Sequence, residues 1–117
     1  MEFSFKKRFS LDKRIEEYNK VIIKANGKIP VICEKDPKSH IEKIEKYKYL
    51  ISPEMRVNQF EYIIRNKLNL SKEKAIYFMV NGKIAIVGTQ LFFEIYAKFK
   101  DPDGFLYLTY ASEDIWG

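Results

Sequence analysis

The sequence predicts an α+β domain in which a mixed sheet wraps over one helix. Three observations lead there. Beyond residue 25 the candidate elements run β-β-α-β-(β)-α-β; one central stretch carries apolar residues at helical spacing; and Asn81-Gly82 is a strong hairpin-turn signal between two short apolar runs. In order along the chain, Ser4–Arg8 is long enough for one helical turn. Ser10 is placed to cap a helix over Leu11–Lys24, in which Leu11, Ile15, Tyr18 and Ile22 fall on one face. Asn26-Gly27 supplies its stop. Lys28–Cys33 is short and β-branched, hence a strand; Pro30 lacks a donor, so a free edge is expected near it. The stretch EKDPKSHIEKIEK is a polar connection, and Tyr47–Ile51 alternates as a second strand that Pro53 closes. Val57, Phe60, Ile64 and Leu68 define the central amphipathic helix. Ala75–Val80 is a third strand, Lys83–Val87 a short strand or loop, Gln90–Phe99 a helix, Asp101–Gly104 a turn, and Phe105–Tyr110 the last strand. That order is the order of a β-grasp. Its first and last strands run parallel at the sheet centre, so the chain end at Gly117 is expected to project beyond the sheet.

The totals are those of one domain. At 117 residues, with 46% hydrophobic and 32% charged residues, the chain is long enough for one core. Aromatic residues reach 15%, so aromatic packing should dominate that core. Cys33 and His40 are single, which excludes an internal disulfide and a zinc site built from His and Cys; a reducing, cytoplasmic setting is expected. No signal peptide is read, because Lys6, Lys7 and Arg8 stand where an apolar run would begin, and no apolar stretch approaches the ~20 residues of a membrane span. The net charge of +5 is uneven: residues 1–48 hold 13 Lys/Arg against 8 Asp/Glu, and residues 49–117 hold 8 of each. This is either a solvated basic face or a surface for acidic peptides or anionic lipid. No nucleic-acid motif accompanies it, and nucleic acid is not an expected partner.

Nothing in the chain reads as an enzyme. Cys33 reads as a small core residue and His40 as a loop residue without a visible partner. Glu113 and Asp114 are adjacent, so their side chains point apart. The terminal glycine carries more. Without a Cβ, its carboxylate can enter a channel too narrow for another residue, as a chain whose own C-terminus reacts would need.

Four stretches, IPVICEKDPKSHI, KYLISPEMRVNQFEYIIR, YFMVNGKI and DGFLYLTYASEDIWG, occur in order across nearly the whole chain. In them the sequence resembles the ubiquitin-like autophagy modifiers, the GABARAP and microtubule-associated light-chain family. The resemblance implies a single ubiquitin-like domain over residues 1–117. Residues 1–25 would be a two-helix extension, 28–111 the β-grasp core and 112–117 a conjugation tail. It implies that Gly117 is joined to the amine of phosphatidylethanolamine after an activating enzyme adenylates it and thioesters carry it, and that a cysteine protease acts on the conjugate. The modifier itself catalyses nothing, needs no cofactor or metal and is a monomer. When lipidated it would sit on the autophagosome or another organelle membrane.

The same resemblance implies a groove for cargo-receptor peptides of the form aromatic-x-x-aliphatic with acidic flanks, bound as an added strand. Glu17, Val21, Pro30, Ile32, Lys48, Leu50 and Phe105 match its aromatic pocket. Tyr49, Ile51, Met55, Phe60 and Ile63 match its aliphatic pocket, and Lys46, Lys48 and Lys67 would meet the acidic flank. Phe60 and Leu50 have core packing as their alternative. Lys28–Cys33 and Tyr47–Ile51 are the candidate edge strands. Tyr77 and Met79 match a face used by the conjugation machinery, although relatives often carry two aromatics there. Three features depart from the pattern. Arg56 replaces the usual Thr or Ser cap of the central helix and cannot accept its N–H groups, so the cap comes from elsewhere or costs ~1 kcal/mol. Ala85–Phe93 lacks the prolines of its counterparts, which leaves its conformation open. Trp116 is similar to a residue of a sister modifier that is attached to a protein lysine. That, or a basic peptide-binding module that is never conjugated, is the alternative function.

Overall fold

Five strands make one mixed sheet in this computed structural model, which describes residues 2–116 and, of Trp116, the backbone alone. The chain opens with α1 (Ser4–Arg8) and α2 (Leu11–Ala25), followed by β1 (Ile29–Lys35) and β2 (Lys48–Ile51). Then come α3 (Val57–Leu68), β3 (Tyr77–Val80), β4 (Ile84–Ile86), α4 (Phe92–Phe99), β5 (Leu106–Ala111) and a 3-10 turn over Glu113–Trp116. The sheet order is β2-β1-β5-β3-β4. β1 and β5 run parallel at its centre, from Val31 opposite Leu106 to Lys35 opposite Tyr110, and every other neighbouring pair is antiparallel.

Local chemistry explains the element ends. Ser10 Oγ accepts from the Lys13 N–H at 3.3 Å and starts α2. Asn26 ends it in the left-handed region, with Gly27 following at φ 83°, so the stop is shared by both residues. Asn81 and Gly82 both take positive φ, 55° and 70°, at the centre of a turn that the Lys83 N–H closes on the Val80 carbonyl at 3.0 Å; Val80 pairs with Ile84, so residues 81–83 link the two strands. Gly104 has φ 99°, and a Cβ there would overlap the Tyr18 ring; only glycine fits.

The sheet has a core on each face. Val57, Phe60, Ile64 and Leu68 of α3 pack on Val31, Cys33, Phe78, Val80, Leu106 and Leu108, together with Phe92 and Ile95 of α4. The opposite face of the central strands carries Ile32, Phe105 and Tyr107, covered by Phe3 and Phe5. Three polar contacts hold the N-terminal helices on that second face. Glu34 of β1 accepts from the Ser4 and Phe5 N–H groups at 2.8 and 3.1 Å, capping α1 from outside it. Lys6 pairs with Asp101 at 2.6 Å, and Arg14 with the fully buried Asp103 at 2.8 Å. Asp103 also accepts from Tyr107 Oη and from the Phe105 N–H.

The structure corrects several expectations. β1 is not an edge strand, because β2 and β5 flank it. Pro30 is tolerated for a local reason. The Cys33 N–H points to β2, donating to the Tyr47 carbonyl at 2.8 Å. Backbone groups alternate along a strand, so the Pro30 nitrogen faces the β5 side, one residue before that ladder begins at Val31. The cap of α3 does come from elsewhere. Val57 donates to the Gln90 carbonyl and Asn58 to the Gly88 carbonyl, each at 3.0 Å, while the Arg56 guanidinium holds the Thr89 carbonyl. Residues 87–90 therefore form a turn that serves as a backbone cap, which answers how Ala85–Phe93 is arranged. His40 has a partner, since its N–H donates to Asp114 at 2.5 Å. The tail does not simply project, because Glu113–Trp116 winds into its 3-10 turn against that loop. Gly117 lies outside the described residues.

Candidate peptide groove and C-terminal segment

β2 is an edge of the sheet, and it runs between α2 on one face and α3 on the other. Its register with β1 sorts the predicted residues. Pro30 lies opposite Leu50, and Ile32 opposite Lys48, so these four share the α2 face. Tyr49 and Ile51, the alternate residues, turn to the α3 face, where the Tyr49 ring meets Phe60 edge-on at 5.4 Å. Two sets that the sequence could only enumerate thus flank one free strand edge.

Within the first set, Glu17 of α2 reaches across to Lys48, with Oε1 and Nζ 2.8 Å apart. Ile32 and Phe105 are buried beneath, Phe105 meeting Tyr18 edge-on at 6.0 Å; Pro30 is buried, Val21 half-buried and Leu50 42% exposed. The floor is therefore shielded while the rim at Leu50 is open. Leu50 is not core; Phe60, 1% exposed, is. In the second set Ile51, Tyr49 and Phe60 belong to the core, and Met55 and Ile63 are half-buried at its margin. Lys46 Nζ lies 5.0 Å above the Tyr49 ring and Lys48 Nζ 5.6 Å from that of Phe5, so both ammonium groups stand at the β2 edge. Lys67 is exposed one turn beyond Ile63 on α3; nothing ties it to the other two lysines.

Tyr77 and Met79 lie at the far side of the molecule on β3, pointing away from α3, because Phe78 and Val80 take the core face. Tyr77 is 37% exposed and Met79 only 8%, so Met79 adds little surface to that face.

A second groove, of about 780 Å³, lies between α1 and the connection before β2, lined by Lys7, Arg8, Lys43, Ile44, Glu45 and Tyr47 among others. Sequence reasoning did not find it. Its walls come from two segments that no motif joins, and the basic bias of the first 48 residues was its one trace. Among the described residues no group of His, Cys, Asp and Glu could hold a metal ion, and no helix is long and apolar enough to cross a membrane. Burial, with the Glu34 charge nearby, pushes the Cys33 thiol pKa well up, so the thiolate that a nucleophile needs is suppressed.

A five-stranded β-grasp sheet with two helices laid across it and a peptide-sized free edge defines the class: a ubiquitin-like protein. The family description "Autophagy protein Atg8 ubiquitin like" matches residues 13–117. The chain is 42% identical to Autophagy-related protein 8 of Kluyveromyces lactis and 41% identical to that of Candida glabrata. Both matches cover all of this chain, with 94% and 98% of the relative. The crystal structure of Trypanosoma brucei ATG8 superposes with a TM-score of 0.89 at 29% identity over 97% of both chains. The chain belongs to the Atg8 family of ubiquitin-like autophagy proteins. It is accordingly a modifier and not an enzyme.

Proposed function

We propose that this chain is conjugated through Gly117 to phosphatidylethanolamine and, once on the autophagosomal or a related membrane, recruits cargo receptors through the β2 edge. Residues 112–117 serve as the conjugation tail and 28–111 as the core that presents it. Activating and conjugating enzymes, and a cysteine protease that reverses the attachment, are its partners. The carrying observation is the register of β1 and β2. It sets Leu50 and Lys48 on one side of a free edge and Tyr49 and Ile51 on the other. An extended peptide adding to that edge would place residues of alternate parity in the two pockets and its acidic flank beside Lys46 and Lys48. The lipid supplies what the protein surface lacks. Two acyl chains, at ~0.8 kcal/mol per CH₂, anchor stably where basic charge alone does not.

The test is intact mass after incubation with the conjugation enzymes, ATP and phosphatidylethanolamine liposomes. A lipid adduct should form on the chain and be absent from Gly117→Ala; an adduct of normal yield on that variant would refute the attachment site. For the groove, Leu50→Ala should weaken an acidic aromatic-x-x-aliphatic peptide about tenfold by calorimetry, equivalent to ~1.4 kcal/mol. Unchanged affinity would move the peptide off this edge.

A further inference from the structure

The segment that follows β5 is held back on the body of the protein through the Asp114 carboxylate, beside a contact of Ser112 with Ser39. Asp114 accepts from the Ser39 hydroxyl at 2.8 Å, from the Ser112 hydroxyl at 2.5 Å and from the His40 N–H at 2.5 Å. Its side chain stays partly in solvent, and His40 Nδ1 lies 4.0 Å away. These hydrogen bonds, that of Ser112 first, lower the Asp114 pKa to about 2, so the carboxylate is charged and accepting at any ordinary pH.

The surface it grips is braced. Ser39 is buried, and its hydroxyl also accepts from the Ile41 and Ser112 N–H groups. Tyr110 of β5 ties the same loop down: its hydroxyl donates to the Glu42 carbonyl and accepts from the Ile44 N–H, each at 2.9 Å. The Asp36 N–H donates to the Tyr110 carbonyl at 2.9 Å. The loop is thus fixed to the strand from which the tail departs, and the tail folds back on it.

The fold-back shortens the tail. The four residues Glu113–Trp116 are wound as a 3-10 turn. At ~2.0 Å per residue such a turn spans roughly 8 Å. The same residues extended, at ~3.3 Å each, span roughly 13 Å. An enzyme that takes the chain end into a narrow channel needs the extended form.

We propose that the Asp114 clasp on Ser39 and the His40 N–H is an autoinhibitory contact, which keeps the C-terminal segment docked and wound and must open before any enzyme can engage the chain end. The inference deepens the conjugation reading above, but the docking itself does not depend on it. The first test therefore uses no conjugation enzyme. Carboxypeptidase is added to the full chain, to Asp114→Ala and to Ser39→Ala, and loss of C-terminal residues is followed by intact mass. Amide exchange at His40 is measured in parallel. Asp114 is exposed, so its replacement leaves the core intact; Ser39→Ala attacks the clasp from the other side. Both variants should be trimmed at least threefold faster than the parent, and His40 should exchange faster in Asp114→Ala. Equal trimming rates and equal His40 exchange in parent and Asp114→Ala would overturn the clasp.

The activating enzyme is then supplied with ATP. Thioester formation should accelerate in Asp114→Ala by the same factor as trimming. Charging at the parent rate, despite faster trimming, would overturn the inhibitory role. If no chain is charged while trimming still separates parent from variants, the conjugation reading fails and the docked tail stands.

Discussion

Asp103 shows what a single residue does here. It is fully buried at the turn before β5, and three donors meet its carboxylate: the Arg14 guanidinium, Tyr107 Oη and the Phe105 N–H. Burial works against the Arg14 charge, but the Asp103 hydrogen bond and the surrounding charges together outweigh it and hold the guanidinium pKa above its ordinary value. The pair fastens α2 to the β5 end of the sheet. Removing one partner of such a pair leaves the other charge buried without compensation, which costs about 3–5 kcal/mol. Arg14→Ala, which leaves the fully buried Asp103 carboxylate without its cation, should lose about that much in urea denaturation, whereas Tyr107→Phe, which leaves two of the three donors, should lose about 1.5–2 kcal/mol. Similar losses in both would mean that the tyrosine, not the ion pair, carries the contact. None of this was visible in Asp101-Pro102-Asp103-Gly104, which reads as a turn and is one. The turn chemistry is local; the partner Arg14 comes from the opposite end of the chain.

Among the elements, α3 is the informative one. Its apolar face followed from the spacing of Val57, Phe60, Ile64 and Leu68, and all four are buried. Its start did not, because Arg56 has no acceptor to offer. The first N–H groups are nonetheless occupied: Val57 and Asn58 donate to Gln90 and Gly88, and Gln59 and Phe60 to the Arg56 carbonyl. The Gln59 side chain in turn accepts from the Arg56 N–H at 2.8 Å. A side-chain cap would therefore find no free donor. Arg56→Thr is expected to change stability by less than about 0.5 kcal/mol, against the ~1 kcal/mol a missing cap would return. A gain of a full kcal/mol on thermal melting would show that the 87–90 turn does not cap the helix in solution. The short helix α1 makes the same point from the other side. Five residues cannot hold a helix alone, and Glu34, a β1 residue, supplies the acceptors for its first N–H groups.

At the scale of the whole molecule the aromatic content sets the response to pH. Burial is the leading cause that raises the pKa of Tyr49, Tyr96, Tyr107 and Tyr110, the last to about 12. The sign follows from linkage. These hydroxyls ionise more readily in the unfolded chain, near 10, than in the folded one. Their contribution to stability is complete below pH 10 and is lost as pH rises from there through about 12 for Tyr110. Stability by denaturant titration should therefore fall across that window. The ultraviolet signal of these four phenolates should emerge together with unfolding. A smooth titration of all the tyrosines near 10, with the fold intact, would contradict the packing described.

The sequence by itself determined the elements and their order, the face of α3 that packs, the Asn81-Gly82 hairpin turn and the family. Each of these rests on short-range signals: apolar periodicity, turn residues with positive φ, and contiguous motifs. It also named the groove residues, but only through the resemblance, and it misjudged β1 as an edge; for Leu50 and Phe60 it left core packing open, and the fold puts Phe60 in the core and Leu50 at the open rim. The tertiary structure alone decided which strand is free, because an edge is a property of sheet order and not of a strand's composition. It decided the cap of α3, the bond from Glu34 to α1, the Arg14–Asp103 pair and the hold of Asp114 on Ser39 and His40. In every one of these the partners lie far apart in sequence or belong to different elements. A hydrogen bond carries no periodicity, so nothing in either segment announces the other until the fold brings them within about 3 Å.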